Sequence, residues 1–262
     1  MSSQSETRSE RLTFPGALGH ALSARLEWPA EGEPHSFALF AHCFTCTKDF
    51  KSGVWISRAL ARRGFAVLRF DFTGLGQSGG DFADTNFTSN VGDIVAAADY
   101  LRVQHEAPTL LVGHSLGGTA TLVAAEEIPE SRALAVIASA SDTDHLRQTI
   151  LNEAPDVASS GRGDFTVGGQ TFEIKRQLLE DLARQHVLEH VAHLERALLI
   201  IHSEGDQTVP VAHAERIFAA AAAPKAFVTL AGDDHLLIAN REAGPWAGDL
   251  IATWAAGQLN AR

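Results

Sequence analysis

Residues 110–118, Leu-Leu-Val-Gly-His-Ser-Leu-Gly-Gly, constrain the fold of this chain more than any other stretch. Apolar residues of strand type run into Gly-x-Ser-x-Gly, and a small-residue helical pattern over residues 119–127 follows until Pro129 ends it. In such a strand-turn-helix the serine is lifted above the carboxyl end of a parallel strand. The crowded backbone then needs neighbours at minus two and plus two that are nearly free of side chain. Gly113 and Gly117 meet that demand. The first N–H groups of the helix, beginning with Leu116, lack intrahelical partners and are free to face negative charge that develops at the turn. The stretch is read as a nucleophile elbow with Ser115 at its apex, in preference to a plain glycine-rich turn.

The rest of the chain supplies the layers that such an elbow requires. Residues 11–14 and 21–27 are short strand-like runs around Pro15-Gly16 and Leu18-Gly19-His20, which predicts an antiparallel hairpin at a sheet edge. Residues 37–41, 65–70 (apart from Arg69), 134–138 and 197–201 are apolar runs of the kind that a strand buried on both faces carries. A helix is expected over residues 52–63, with Gly64 as its left-handed stop. Val91, Ile94, Val95, Ala98 and Leu101 form one helical stripe, with Asn90 and Asp93 suited to its cap. Residues 211–222 read as a helix, 226–230 as a strand, and a last helix opens at Pro245 with Trp246, Leu250 and Trp254 on one stripe.

Strands alternating with helices imply an α/β fold, a mostly parallel sheet with helices on both faces, in a single domain over residues 1–262. Residues 139–196 exceed what one crossover helix needs and are read as an inserted cap. Within it, residues 164–174 predict a β-hairpin turning at Gly168-Gly169. That register sets Phe165 opposite Phe172, with Val167 and Ile174 on the same side. This face either roofs a substrate pocket or packs the cap onto the body.

Charge and segment pattern narrow the partners. The formal net charge is −11 and the basic residues are scattered, which argues against nucleic acid and for a neutral or modestly polar small molecule. Residues 1–11 are polar, without the apolar core of a signal peptide, and no stretch reaches the length of a membrane span. A cytoplasmic protein with a short disordered N-terminal tail and no membrane partner is expected. Oligomeric state is not legible.

A serine hydroxyl becomes nucleophilic when a base takes its proton, and the base works best when a carboxylate fixes its tautomer. On an elbow of this kind the acid and then the histidine follow the serine, each on a loop at the carboxyl end of a later strand. Asp206 stands just past the strand at 197–201, with Glu204 as the rival carboxylate. His235 stands on the loop after the strand at 226–230. The predicted catalytic set is Ser115, Asp206 and His235, working without a cofactor. His114 is expected to pack beneath the elbow, and His42 and His202 to be structural. His186, His190 and His193 contain an i, i+4 pair, but no cysteine or glutamate completes a zinc pattern, so no metal site is assigned.

These residues carry a resemblance. His42-Cys43-Phe44 resembles the His-Gly-Phe oxyanion turn of small acyl esterases in the α/β-hydrolase superfamily, including the cinnamoyl and feruloyl esterase-like group. Residues 69–80 and 205–210 are similar to the loops that such enzymes carry after their next strand and around their acid. Residues 40–49 with 69–90 also resemble the hydrolase half of bacterial proteins fused to an OsmC-like domain, and no OsmC-like second half is expected in this chain. The resemblance implies an α/β-hydrolase fold and a serine esterase that cleaves small-molecule carboxylic esters through an acyl-enzyme. It also implies an oxyanion hole formed by the N–H groups of Phe44 and Leu116. Cys43 stands where those esterases carry glycine, a place where the backbone prefers no Cβ.

Three other readings compete. Gly74-x-Gly76-x-x-Gly79 matches a dinucleotide fingerprint, yet the next helix is expected only near Asn90, too far to meet a pyrophosphate. Cys43-x-x-Cys46 has the placement of a redox centre. It is read as two reduced thiols, with a redox protein, or a hydrolase whose oxidation displaces the Phe44 N–H, as the alternatives. A hydrolase fold used only for binding is the third, since fold does not fix activity.

Overall fold

Five strands are buried at every residue: β3 (Ser36–Ala41), β4 (Phe65–Phe70), β5 (Leu110–His114), β6 (Ala133–Ile137) and β9 (Ala197–Ser203). Only a sheet covered on both faces accommodates such strands. In the computed structural model, which describes residues 7–232 and 234–260, they form the centre of an eight-stranded sheet. Its edges are β1 (Arg8–Pro15) with β2 (Ala21–Trp28) on one side and β10 (Lys225–Leu230) on the other, in the order β1-β2-β4-β3-β5-β6-β9-β10. β1 and β2 form the expected antiparallel hairpin, β2 runs antiparallel to β4, and every later pairing is parallel. The expected tail lies outside the described residues as far as residue 6, and from Arg8 the chain is already strand.

Alternate residues of the central strands feed two apolar layers. Leu39, Leu68, Leu111 and Leu134 point into one, and Phe40, Val67, Val112 and Ala135 into the other. The first is covered by α2 (Phe87–Gln104), α3 (Leu116–Ala124) and α8 (Ala212–Ala220), the second by α1 (Lys51–Arg62) and α9 (Ala243–Asn260). Between β6 and β9 lie α4 (Asp144–Glu153), α5 (Asp156–Ser160), the hairpin β7 (Arg162–Val167) and β8 (Gln170–Lys175), α6 (Arg176–Leu182) and α7 (Val187–Ala192). The hairpin has the expected register, Phe165 opposite Phe172. Among the described residues no helix is long and apolar enough to cross a membrane.

Two helix boundaries differ from expectation for local reasons. α2 starts earlier, because Asn86 and Ser89 cap it reciprocally: the Asn86 side chain accepts the Ser89 N–H at 2.8 Å, and the Ser89 hydroxyl accepts the Asn86 N–H at 2.9 Å. Asp93, expected as a cap, is buried and accepts from the Thr73 N–H and hydroxyl and the Ala17 N–H, which ties two loops to the helix. α9 opens at Ala243, and its buried face is Ala243, Gly244, Ala247, Gly248, Ile251, Ala252 and Ala255. Trp246 is exposed. Close approach to α1 selects this face, since a Cβ on Gly248 would lie 2.6 Å from that of Ala59.

Candidate active site

Ser115 stands between β5 and α3 with φ 54°, a left-handed conformation that costs a residue with a side chain about 1–3 kcal/mol. Its N–H donates to the Ile137 carbonyl at 2.8 Å, so the neighbouring strand holds the strained peptide in place. The two flanking glycines are required by contact. A Cβ on Gly113 would lie 2.4 Å from the Gly118 Cα, and one on Gly117 would lie 2.2 Å from the His42 carbonyl oxygen. The second contact brings the elbow against the loop after β3.

The three residues predicted as a set meet at the carboxyl ends of the strands. His235 Nδ1–H donates to Asp206 Oδ2 at 2.7 Å, and the Ser115 hydroxyl lies 2.9 Å from His235 Nε2 with the geometry to donate to it. Asp206 Oδ1 accepts the N–H groups of Thr208 and Val209 at 2.8 and 2.9 Å. Burial pushes the Asp206 carboxyl up, but the bond and charge of His235 and the two N–H groups outweigh it and hold the group below the ordinary carboxylate range. Glu204 is exposed and makes no part of this chain of bonds. Chemically, such an arrangement can move a proton from the serine hydroxyl to a histidine whose tautomer is set by a charged carboxylate.

Phe44 and Leu116 both border the cavity in front of Ser115, and among the described residues neither backbone N–H has a hydrogen-bond partner. The loop that carries Phe44 is pinned from beneath. Lys48, 3 % exposed, gives its N–H and its ammonium to Asp71 at 2.6 and 2.7 Å, and Arg69 binds both the Lys48 carbonyl and Glu27. The glycine-rich stretch at 74–79 belongs to this support, with the Gln77 N–H on Asp71 at 2.9 Å. Its resemblance to a phosphate loop reflects backbone wrapped round a buried carboxylate.

The cysteines depart from expectation. Read as two reduced thiols, Cys43 and Cys46 form a disulfide with Cα atoms 5.2 Å apart. The Cys46 N–H donates to the Cys43 carbonyl at 3.1 Å, and that tight turn brings the two within bridging reach. The left-handed residue of this loop is Thr45, φ 59°, so Cys43 sits where a Cβ is tolerated. With the bridge formed, Phe44 still borders the cavity.

The cavity measures about 590 Å³ and is walled chiefly by Phe44, Phe50, Leu116, Leu146, Phe165 and Val209. Phe165 packs on the Phe44 ring with centroids 5.9 Å apart. Phe172, its predicted companion, does not border the cavity, because Phe82 takes up its ring at 5.0 Å. Val167, Gly168 and Gln170 of the hairpin border it instead. Val167 lies on the face that strand alternation shares with Phe165, whereas Gly168 and Gln170 carried no such signal, since which hairpin residues face the cavity depends on how the segment 139–196 settles on the sheet.

Several histidines that the sequence singled out have structural places. His42 bonds the Cys43 carbonyl at 2.8 Å and accepts the Phe72 N–H, and burial lowers its pKa to about 4. His202 donates to the Val209 carbonyl at 2.7 Å and braces the acid loop. His190 bonds Glu126 and His193 the Glu189 carbonyl, so these rings diverge, and no group of three metal-binding side chains occurs among the described residues.

With this geometry in hand, similarity to known proteins is specific. Residues 54–160 match the Hydrolase_4 family, described as serine aminopeptidase, S33. The esterase domain of a Rhodothermus marinus protein is 40 % identical, covers 97 % of this chain and 100 % of its own, and superposes with a TM-score of 0.79. Est1E from Butyrivibrio proteoclasticus, solved with ferulic acid, shares the fold at 22 % identity and a TM-score of 0.77, over 95 % of this chain and 99 % of its own. Rat mitochondrial palmitoyl-protein thioesterase ABHD10 is 37 % identical over 106 residues, 40 % of this chain and 34 % of that protein. The chain spans about a third to a half of the length of the curated relatives it matches. The chain belongs to the esterase family of α/β hydrolases, and the fold expected from the resemblance is the one found.

Proposed function

We propose that this protein is a serine esterase that cleaves carboxylic esters of small molecules through an acyl-enzyme. The observation that carries the reading is the unbroken hydrogen-bond chain from Ser115 through His235 to Asp206. Ser115 Oγ attacks the ester carbonyl as its proton passes to His235 Nε2, and the oxyanion is received by the N–H groups of Leu116 and Phe44. His235 then protonates the departing alcohol. Water, deprotonated by the same histidine, releases the acid and restores the serine. No cofactor enters these steps. The predominantly apolar wall, with no lysine or arginine among the bordering residues, suits uncharged acyl groups. Residues 139–196 act as a cap within one hydrolase domain, and the protein works in the cytoplasm.

A common acyl-enzyme predicts a partition that ignores the leaving group. With methanol added, p-nitrophenyl and phenyl esters of one acid are expected to give the same ratio of free acid to methyl ester. A ratio that changes with the leaving group would mean that water or methanol attacks the ester directly. Failure of wild type and Ser115→Ala alike to turn over any ester, with equal ligand binding, would favour a binding protein.

The disulfide favours one refinement, a redox-sensitive hydrolase. The bridge brackets Phe44, and in a reducing compartment such bridges are usually transient. Reduction with dithiothreitol is expected to loosen the Phe44 donor and lower kcat by up to about 10²-fold, with KM little changed. Cys43→Ser with Cys46→Ser should show the low kcat without reductant. An unchanged kcat on full reduction would leave the bridge as a staple alone.

A further inference from the structure

His114 is 0 % exposed, and the proposed chemistry gives it no task. Its Nε2 lies 2.8 Å from the backbone carbonyl oxygen of His235. A carbonyl only accepts, so Nε2 carries the proton and Nδ1 is a bare lone pair. Nδ1 is buried without a partner, as that tautomer requires. Burial first, then the neighbouring His235 ring, lowers the pKa of His114 to about 3, so the donor persists at every pH where an esterase of this kind works.

The position of this bond gives it a consequence. His114 is the last residue of β5, paired with Ile137 of β6, and shares a peptide with Ser115. His235 lies on the loop between β10 and α9, where the N–H groups of Leu237, Ile238 and Ala239 donate back to Asp234, inside the loop itself. The His114 ring therefore reaches from the rigid end of the central strand to the backbone of the base. Phe50 packs on it with centroids 5.4 Å apart, which fixes the direction of the reach.

We infer that His114 is a positioning residue that sets the distance between Ser115 and His235 by holding the His235 carbonyl from the peptide next to the nucleophile. The inference rests on the proposed roles of Ser115 and His235. Without the bond, the His235 loop can recede while its ring stays on Asp206, and the Ser115 to Nε2 contact lengthens. A misplacement of about 1 Å at a reacting group costs roughly 10²-fold in rate.

The test compares His114→Gln with His114→Met, two side chains of one shape of which only glutamine donates. The expected result is a kcat for His114→Met lower by roughly 10²-fold at unchanged KM, His114→Gln closer to wild type, and equal melting temperatures. The downfield proton NMR signal of the His235 Nδ1–H on Asp206 should persist in His114→Gln. If His114→Met does not fold, the nitrogen-15 spectrum of the wild type decides: His114 as the Nε2–H tautomer supports the inference, and the Nδ1–H or charged form overturns it. Equal kcat in wild type and both folded variants, or equal losses in both, would overturn it while wild-type labelling at Ser115 by a fluorophosphonate leaves the esterase reading standing. No labelling of active wild type would overturn both.

Discussion

Asp206→Asn is expected to lower kcat by about four orders of magnitude and to leave the fold intact. Asparagine has the size of aspartate, and its oxygen can still accept the Thr208 and Val209 N–H groups that anchor the loop. Its amide nitrogen then faces His235 Nδ1 across what is now a 2.7 Å hydrogen bond. Two donors cannot share that space, so His235 turns to the tautomer with Nε2–H. The Ser115 hydroxyl then has a donor where it needs an acceptor. Glu204→Gln, on the exposed side of the same loop, should leave kcat unchanged. Steady-state kinetics with a p-nitrophenyl ester, alongside circular dichroism of both variants, separates the two carboxylates. A silent Asp206→Asn beside a damaging Glu204→Gln would reverse the assignment.

A large loss of stability is expected between pH 7 and pH 5. His42 and His114 are buried and neutral, with pKa values lowered to about 4 and about 3 chiefly by desolvation. In the unfolded chain each takes up a proton near pH 6.5. Depressed folded values mean that their contribution is complete above pH 6.5 and is lost as pH falls toward the folded values. On these two groups the unfolded state comes to bind up to about two more protons by the lower end of this window, which costs about 3–4 kcal/mol of stability; His202 and His213, also lowered chiefly by burial, act in the same direction. Asp93, whose carboxyl burial raises, acts in the opposite direction. Urea unfolding at pH 7, 6 and 5 measures it. A midpoint that does not move would mean that these rings are protonated in the folded protein or open to water.

The legible parts of this protein are those whose chemistry is local. The elbow could be read from Gly113, Ser115 and Gly117 because the contacts that exclude side chains there lie within a few residues or against the adjacent β3 loop. Central strands were legible because burial on both faces forces an unbroken apolar run, as over residues 37–41 of β3 and in β6. Long-range choices left weaker traces. Asp93 looks like a helix cap until Thr73 and Ala17 are seen to donate to it from two loops. The tryptophan stripe of α9 loses to an alanine and glycine face because close packing on α1 admits only small residues. Phe172 faces the same way as Phe165, and only the placement of Phe82 separates their surroundings. The disulfide depended on the tightness of one turn, which C-x-x-C spacing alone does not determine.

The central claim, that Ser115 is the nucleophile of an esterase, is tested most directly by treating active protein with a fluorophosphonate and mapping the adduct by mass spectrometry. The account predicts one adduct per chain, on Ser115, formed in step with loss of ester hydrolysis and absent from Ser115→Ala. An adduct on another residue, or full inhibition of a hydrolysing preparation with Ser115 unmodified, would contradict it.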